Sequence, residues 1–101
     1  MRGLAVAAVA LALAGCGGSG NSREGVIALA KDAYASAKAR GVDMARGPCL
    51  GMIKPGWVAD VAHNPRRPVD DRPQNQCAAY RSGRAHHFVE LDPNGNYIRS
   101  G

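Results

Sequence analysis

Apolar positions follow a helical period over one long stretch of the chain. No proline interrupts residues 23–40, and apolar residues recur there at three- and four-residue steps. That spacing places them on one face of an α-helix. Asn21 or Ser22 can cap its start, since Glu24 follows at the spacing of a capping box, and Gly41 can end it in a left-handed conformation. The predicted apolar stripe consists of Val26, Leu29, Ala30, Ala33 and Ala37.

Shorter apolar stretches in the second half of the chain favour strands. Residues 57–63 are typical of a strand, which would place Trp57, Ala59 and Val61 on one face. A second strand is predicted at 86–92 and a third at 97–99. The Pro-Asn-Gly-Asn turn between them indicates a β-hairpin. The proline-rich stretch 64–76 reads as a loop, and 77–82 can form a short helix.

These elements predict a single α+β domain over residues 22–101. Its N-terminal helix would pack on a small antiparallel three-stranded sheet that ends in the β-hairpin. The alanine-rich stripe lets the helix lie close to the sheet, so we expect it to form core. Trp57 is expected in the core as well, although its position after a turn also suits a surface contact with a partner.

The first sixteen residues have the pattern of an export signal. Arg2 provides a positive start, and the apolar run 4–13 suits a signal peptide but is too short to span a bilayer as a helix. The sequence Leu13-Ala14-Gly15-Cys16 then resembles the lipobox of bacterial lipoproteins. The alternative for this segment is an alanine-rich buried helix that happens to end in Gly-Cys.

The resemblance to bacterial lipoproteins covers the leader alone, and it implies a lipid anchor. Cleavage would remove the signal peptide 1–15, and Cys16 would become the mature N-terminus with a diacylglycerol (palmitate-type acyl chains) on its sulfur. Two buried acyl chains give stable attachment to a membrane. Residues 16–21 would then form a flexible lipidated tether. Gly17, in place of an aspartate, favours the outer membrane if the cell is Gram-negative.

The two other cysteines, Cys49 and Cys77, remain as an even pair in an oxidising compartment. We expect a disulfide between them. Closing the loop 49–77 would contribute about 3–4 kcal/mol by the chain-entropy argument, which matters in a small domain with few large apolar side chains. Free thiols or a metal pair are the alternatives, although neither cysteine belongs to a C-x-x-C motif.

The net charge is +5, and it falls to +4 once Arg2 is removed with the signal peptide. Such a balance favours anionic partners such as phospholipid head groups or acidic wall polymers. The arginines of the loop 64–76 are offset by Asp70 and Asp71, however, and most of this charge is expected to be ordinary solvated surface. No nucleic-acid-binding motif is present, so no nucleic-acid partner is expected.

The three histidines are the residues best suited to metal chemistry. If the strands 57–63 and 86–92 paired antiparallel, one register would set His63 opposite His86, and a divalent metal could bind between converging imidazoles. Neighbouring strand residues point to opposite faces, so His86 and His87 could not both take part. In the alternative, the histidines are structural. Possible oxygen ligands are Asp60, Asp70, Asp71 and Glu90.

Catalytic constellations are otherwise weakly indicated. No serine lies in a strained glycine-flanked turn, and the pair Asp70-Asp71 lies in a polar loop, without the apolar pocket that raises a carboxyl pKa. The sequence therefore predicts a non-enzymatic, membrane-anchored envelope module without a cofactor other than its lipid. Its partner would be an envelope protein or an acidic wall polymer. The alternative is a metal-binding periplasmic or surface domain that uses His63 with His86 or His87.

Overall fold

The computed structural model describes residues 22–101. The predicted signal peptide, Cys16 and the tether 16–21 lie outside the described residues. Within residues 22–101, two α-helices and four β-strands follow one another, with 3₁₀ turns at Met44–Arg46, Pro68–Asp71 and Pro73–Asn75. The order is α1 (Arg23–Ala39), β1 (Cys49–Lys54), β2 (Trp57–Val61), α2 (Ala78–Arg81), β3 (His87–Leu91) and β4 (Tyr97–Ser100).

Helix α1 begins and ends where the sequence predicts. The Ser22 hydroxyl accepts a hydrogen bond from the backbone N–H of Gly25 at 2.9 Å, so Ser22 is the N-cap. Beyond the C-cap Arg40, Gly41 adopts a φ of 85°. Three residues of the predicted stripe, Val26, Ala30 and Ala37, are buried.

The four strands form one mixed sheet in the order β1-β2-β3-β4. The predicted C-terminal hairpin is confirmed, because β3 and β4 pair antiparallel. The prediction of three antiparallel strands is wrong in two respects. Strand β1 adds a hairpin with β2, and the central strands β2 and β3 run parallel. The connection 62–86 returns the chain to the end of the sheet where β2 begins. Strand β3 therefore runs in the same direction as β2, and a parallel pair requires such a crossover.

Helix α1 packs on one face of the sheet. Val26 and Ala30 form the core with Ala59, Val89 and Leu91, and all five are at most 1% exposed. The small alanine side chains allow the helix backbone to approach the strands closely. Trp57 packs against this cluster. Val61 lies in an adjoining buried cluster with Ala37 and Met44. The predicted common face of Trp57, Ala59 and Val61 is therefore confirmed.

The opposite face is covered in part by the connection 62–86. Val58 lies there in a second cluster with Cys77, Ala79 and Ala85. The predicted disulfide between Cys49 and Cys77 is confirmed, with their Cα atoms 4.9 Å apart. It joins the start of β1 to the residue before α2. The crosslink thus holds α2 over one end of this face and leaves the rest open.

Candidate functional site

One row of residues across the sheet carries most of the polar chemistry. Cys49 of β1 pairs with Asp60 of β2, Asp60 with Glu90 of β3, and Glu90 with Arg99 of β4. Residues paired in register share a face of the sheet. All four therefore lie on the face opposite α1, and two carboxyl groups stand side by side on the central strands.

Glu90 is paired with two arginines. Arg66 donates from Nη1 to Glu90 Oε2 at 2.8 Å, and Arg99 donates from Nε to Oε1 at 3.0 Å. Arg66 also donates from Nε to Asp71 Oδ1 at 2.8 Å. These hydrogen bonds to Asp71 and Glu90 raise the pKa of Arg66 above its already high ordinary value. Both oxygens of the buried Glu90 carboxylate are thus occupied by guanidinium groups.

Asp60 has no such partner. Its Oδ1 is buried and makes no hydrogen bond with any residue of the described chain. Burial, and then the neighbouring negative charge of Glu90, raise the pKa of Asp60 to about 7, although Arg66 and Arg99 act in the opposite direction. Buried polar atoms are nearly always hydrogen-bonded, and an exception calls for an explanation.

The Asp60 carboxyl lines a cavity of about 250 Å³ on this face of the sheet. We name this cavity the Asp60 groove. Its apolar side includes Tyr80 and Phe88, whose rings meet edge to face with centroids 5.6 Å apart. The residues that line the groove include Val58, Asp60, Arg66, Tyr80, Phe88 and Glu90.

A second polar pair lies at the carboxyl end of β2. His63 Nδ1 lies 2.9 Å from Asp70 Oδ1, and the Asp70 side chain is fully buried. Oδ2 accepts from the backbone N–H groups of His63 and Arg67, at 2.9 Å each. Burial alone would raise the pKa of Asp70, but the hydrogen bonds from Arg67 and His63 hold it below its usual range.

This pair fixes the imidazole beside a smaller cavity. The cavity has a volume of about 220 Å³ and shares Arg66, Glu90 and Arg99 with the Asp60 groove. Asp70 positions the ring in the way that a carboxylate orients a functional histidine. The geometry holds His63 beyond the carboxyl end of β2, in one cavity with Glu90 and Arg99, and gives the loop 64–76 a firm attachment to the sheet.

The structure does not bring the three predicted histidines together. His63 follows the carboxyl end of β2, whereas His86 and His87 lie at the amino end of β3, where Trp57 pairs with His87. In a parallel register this separates them by about 20 Å, at about 3.3 Å per residue. The predicted antiparallel alignment of His63 with His86 is therefore wrong.

The surroundings of each histidine differ as well. His87 is exposed and stacks on Trp57 with ring centroids 4.6 Å apart. His86 is also exposed, whereas the His63 imidazole is hydrogen-bonded to the Asp70 carboxylate. Within residues 22–101, no three His, Cys, Asp or Glu side chains are grouped to hold a metal ion.

Sequence reasoning named Asp60 and Glu90 only as accessory oxygen ligands and missed that they are neighbours. A signal was present, because strands β2 and β3 each carry a single acidic residue, Asp60 and Glu90, among apolar positions. Their pairing could not be derived without the register. Arg66, Arg99 and Tyr80 were missed as site residues, since exposed charges and a lone tyrosine are common on any surface.

Comparisons of the chain with protein-family models, with curated proteins and with solved structures give no match. The Asp60 groove and the His63–Asp70 pair are therefore assigned on geometry and chemistry alone.

Proposed function

We propose that the protein is a membrane-anchored binding module of the cell envelope, and that the Asp60 groove holds a small ligand. The observation that carries this proposal is the Asp60 carboxyl, which lines a cavity and has no ion-pair partner within residues 22–101. Its Oδ1 is shielded from solvent and has no donor, but Asp60 as a whole is only half-buried. A ligand in the cavity that donates a hydrogen bond to this carboxyl group would supply the partner that the fold does not.

The arginine pairing of Glu90 and the disulfide bond of Cys77 favour a binding function over a catalytic one. Paired carboxylates act in acid–base chemistry when both can exchange a proton or attack a substrate. Here each oxygen of Glu90 already accepts from an arginine. Cys77, which also lines the groove, is bonded to Cys49 and is therefore not a nucleophile.

The proposed location at a membrane rests on the N-terminal sequence 1–16. The apolar run 4–13 and the lipobox-like sequence that ends at Cys16 support export and lipid attachment. The disulfide between Cys49 and Cys77 agrees with an oxidising compartment. Among the helices of residues 22–101, none has the length and apolar character needed to cross a membrane.

Metabolic labelling with an alkyne analogue of palmitate tests the anchor. In a Gram-negative host we expect the wild-type chain to carry the label and to sediment with the membranes, and the Cys16→Ser variant to lose both properties. The matched control is the double variant Cys49→Ser/Cys77→Ser, which should keep the label. A wild-type chain without label, or a labelled Cys16→Ser variant, would contradict the proposed anchor.

An NMR chemical-shift screen tests the groove. The full chain in non-ionic detergent micelles would be titrated with a library of small cationic, neutral and anionic compounds. We expect at least one class to shift resonances of Val58, Tyr80 and Phe88 while Met52, which is exposed on the edge strand β1, stays unchanged. A screen in which no compound perturbs the groove residues would overturn the proposed binding function.

A further inference from the structure

We infer that the Asp60 groove takes a ligand with a primary ammonium group on a small apolar body, and that the ammonium binds the Asp60 carboxylate. The inference rests on the proposed binding function and specifies its ligand class. Three observations support it: the balance of charges in the groove, the chemistry of its apolar side, and its volume.

The charges in the groove leave Asp60 as the uncompensated group. Glu90 and Asp71 are matched by the guanidinium groups of Arg66 and Arg99, at 2.8–3.0 Å. No salt bridge within residues 22–101 involves Asp60. An ammonium group supplies one positive charge and three N–H donors, so it compensates the charge of the Asp60 carboxylate and donates a hydrogen bond to it at the same time. A neutral donor would do only the second.

The apolar side of the groove suits such a ligand. Phe88 already accepts one cation, since the Arg99 guanidinium lies 5.6 Å from its ring centroid. Tyr80 meets the edge of the same ring, and Val58 is nearly fully buried beside them. These side chains can contact an aliphatic or aromatic body, and the tyrosine ring can attract a second cation.

The volume sets the size of the ligand. At about 30 Å³ per water molecule in the liquid, a cavity of about 250 Å³ corresponds to a compound of modest size. Benzylamine, with one aromatic ring and one ammonium group, is a suitable probe. Benzyl alcohol and benzoate have the same body with a neutral and an anionic head group, and they serve as matched controls.

Four other groups act on the charge of Asp60. Glu90 and the more distant Asp70 disfavour its ionisation, whereas Arg66 and Arg99 favour it. Arg81 also lines the groove, but it is exposed, so water screens its repulsion of a bound ammonium. Asp60, which has no ion-pair partner within residues 22–101, is therefore the group in the groove left to pair with the ligand.

The same burial makes binding dependent on pH. The pKa of Asp60 is about 7, and an alkylammonium group stays protonated well above that pH. Below pH 7 the ligand competes with the proton on Asp60, so the affinity should weaken as pH falls. By proton linkage the apparent Kd of benzylamine should be about 30-fold higher at pH 5.5 than at pH 8.

The experiment is an NMR titration of the full chain in non-ionic micelles with benzylamine, benzyl alcohol and benzoate at pH 5.5 and pH 8. We expect benzylamine to shift Val58, Tyr80 and Phe88 with that pH dependence and more tightly than either control. The Asp60→Asn variant should bind benzylamine at least tenfold more weakly at pH 8. The comparison of the two pH values in the wild-type chain does not depend on the variant folding.

Two results would overturn the inference in different ways. If benzyl alcohol or benzoate shifts the groove residues as strongly as benzylamine, or if the benzylamine affinity does not change between pH 5.5 and pH 8, the ammonium assignment is wrong and the groove remains a binding site. If none of the three probes, nor the wider library, shifts the groove residues, the proposed function fails as well.

Discussion

Asp60 and Glu90 are register partners on the two parallel central strands, yet only Glu90 has cationic partners at hydrogen-bond distance. Arg66 and Arg99 occupy both Glu90 oxygens, and Asp60 Oδ1 is left buried without a donor. The difference arises from the sheet order, since β4 places Arg99 beside Glu90, whereas β1 places Cys49 beside Asp60. One carboxylate is thereby neutralised within the fold, and the other is available to a ligand.

The stability of the protein should fall as pH rises from about 4 to about 7. The pKa of Asp60 is raised from 3.8 to about 7 in the folded chain, so the folded state holds a proton that the unfolded state releases. Each pKa unit corresponds to about 1.4 kcal/mol. Allowing for partial solvent access, we expect the free energy of unfolding to be about 2–4 kcal/mol lower at pH 8 than near pH 4 on account of this group.

Urea unfolding of the wild-type chain and the Asp60→Asn variant at several pH values measures this effect. The difference between the two profiles isolates Asp60 from Asp70 and Asp92. The pKa values of those two groups are lowered in the folded state, so their contribution to stability is lost only as pH falls below about 4. Parallel profiles for wild type and variant between pH 4 and pH 7 would refute the assignment of this loss to Asp60.

Substitution of the neighbours should move the pKa of Asp60 in opposite directions. Glu90→Gln removes a repulsive negative charge and leaves Arg66 and Arg99 to stabilise the Asp60 carboxylate, so the pKa should fall by about 1 or more. Arg99→Gln removes a favourable positive charge and should raise it. The rise should be smaller, because the Arg99 side chain is 60% exposed. NMR titration of the Asp60 carboxyl carbon in each variant measures both changes, and a shift of equal sign in the two would contradict the electrostatic account.

The helix and the hairpin could be predicted because their signals are local. Ser22 caps α1 at the position that the sequence favours, and the turn after β3 is closed by Asp92, which accepts from the backbone of Asn94 and Asn96. Strand β1 escaped prediction because it contains Gly51 and lies between two turn signals. For each of these elements, the prediction succeeded or failed on the local sequence alone.

The site could not be predicted because it depends on contacts between distant residues. The connection 62–86 holds only 3₁₀ turns and the four-residue helix α2, so it lacks the long helix that usually identifies a parallel crossover. Without that signal the sequence favours an antiparallel pairing, which places His63 opposite His86 and does not make Asp60 the register partner of Glu90. The parallel register reverses both relationships.

Gly47→Ala should be far more destabilising than Gly83→Ala. Both glycines have positive φ, 65° and 85°, which costs an alanine about 1–2 kcal/mol. A Cβ at Gly83 would meet nothing within 4 Å, whereas one at Gly47 would overlap Asp70 Oδ1 and lie 3.2 Å from the Val61 carbonyl oxygen. We expect a further loss of about 1–3 kcal/mol at Gly47 from this overlap.

Denaturant unfolding of the two glycine variants measures the difference, with Gly83→Ala as the control for backbone strain alone. The overlap should also disturb the bond between Asp70 and His63, which is visible as a shift of the His63 imidazole resonances. Equal losses of stability in the two variants would show that the contact between Gly47 and Asp70 does not constrain the fold.

Removal of the disulfide should destabilise the domain and loosen the groove. Loss of the link between Cys49 and Cys77 frees the loop 49–77 in the unfolded state and should lower the free energy of unfolding by about 3–4 kcal/mol. Unfolding with and without reductant tests this, and the Cys49→Ala/Cys77→Ala variant should show no response to reductant. A loss below about 1 kcal/mol would mean that packing alone holds α2 on the sheet.

The most direct test of the account is the titration of the Asp60 side-chain carboxyl carbon by NMR in the wild-type chain. The half-buried Asp60 carboxyl, whose Oδ1 has no donor, is expected to titrate with a midpoint near 7, while Asp70 and Asp92 in the same spectra titrate below their ordinary range. A midpoint near 4 for Asp60 would show that its carboxylate is solvated or already paired, and the groove would lose the group on which the proposed ligand binding depends.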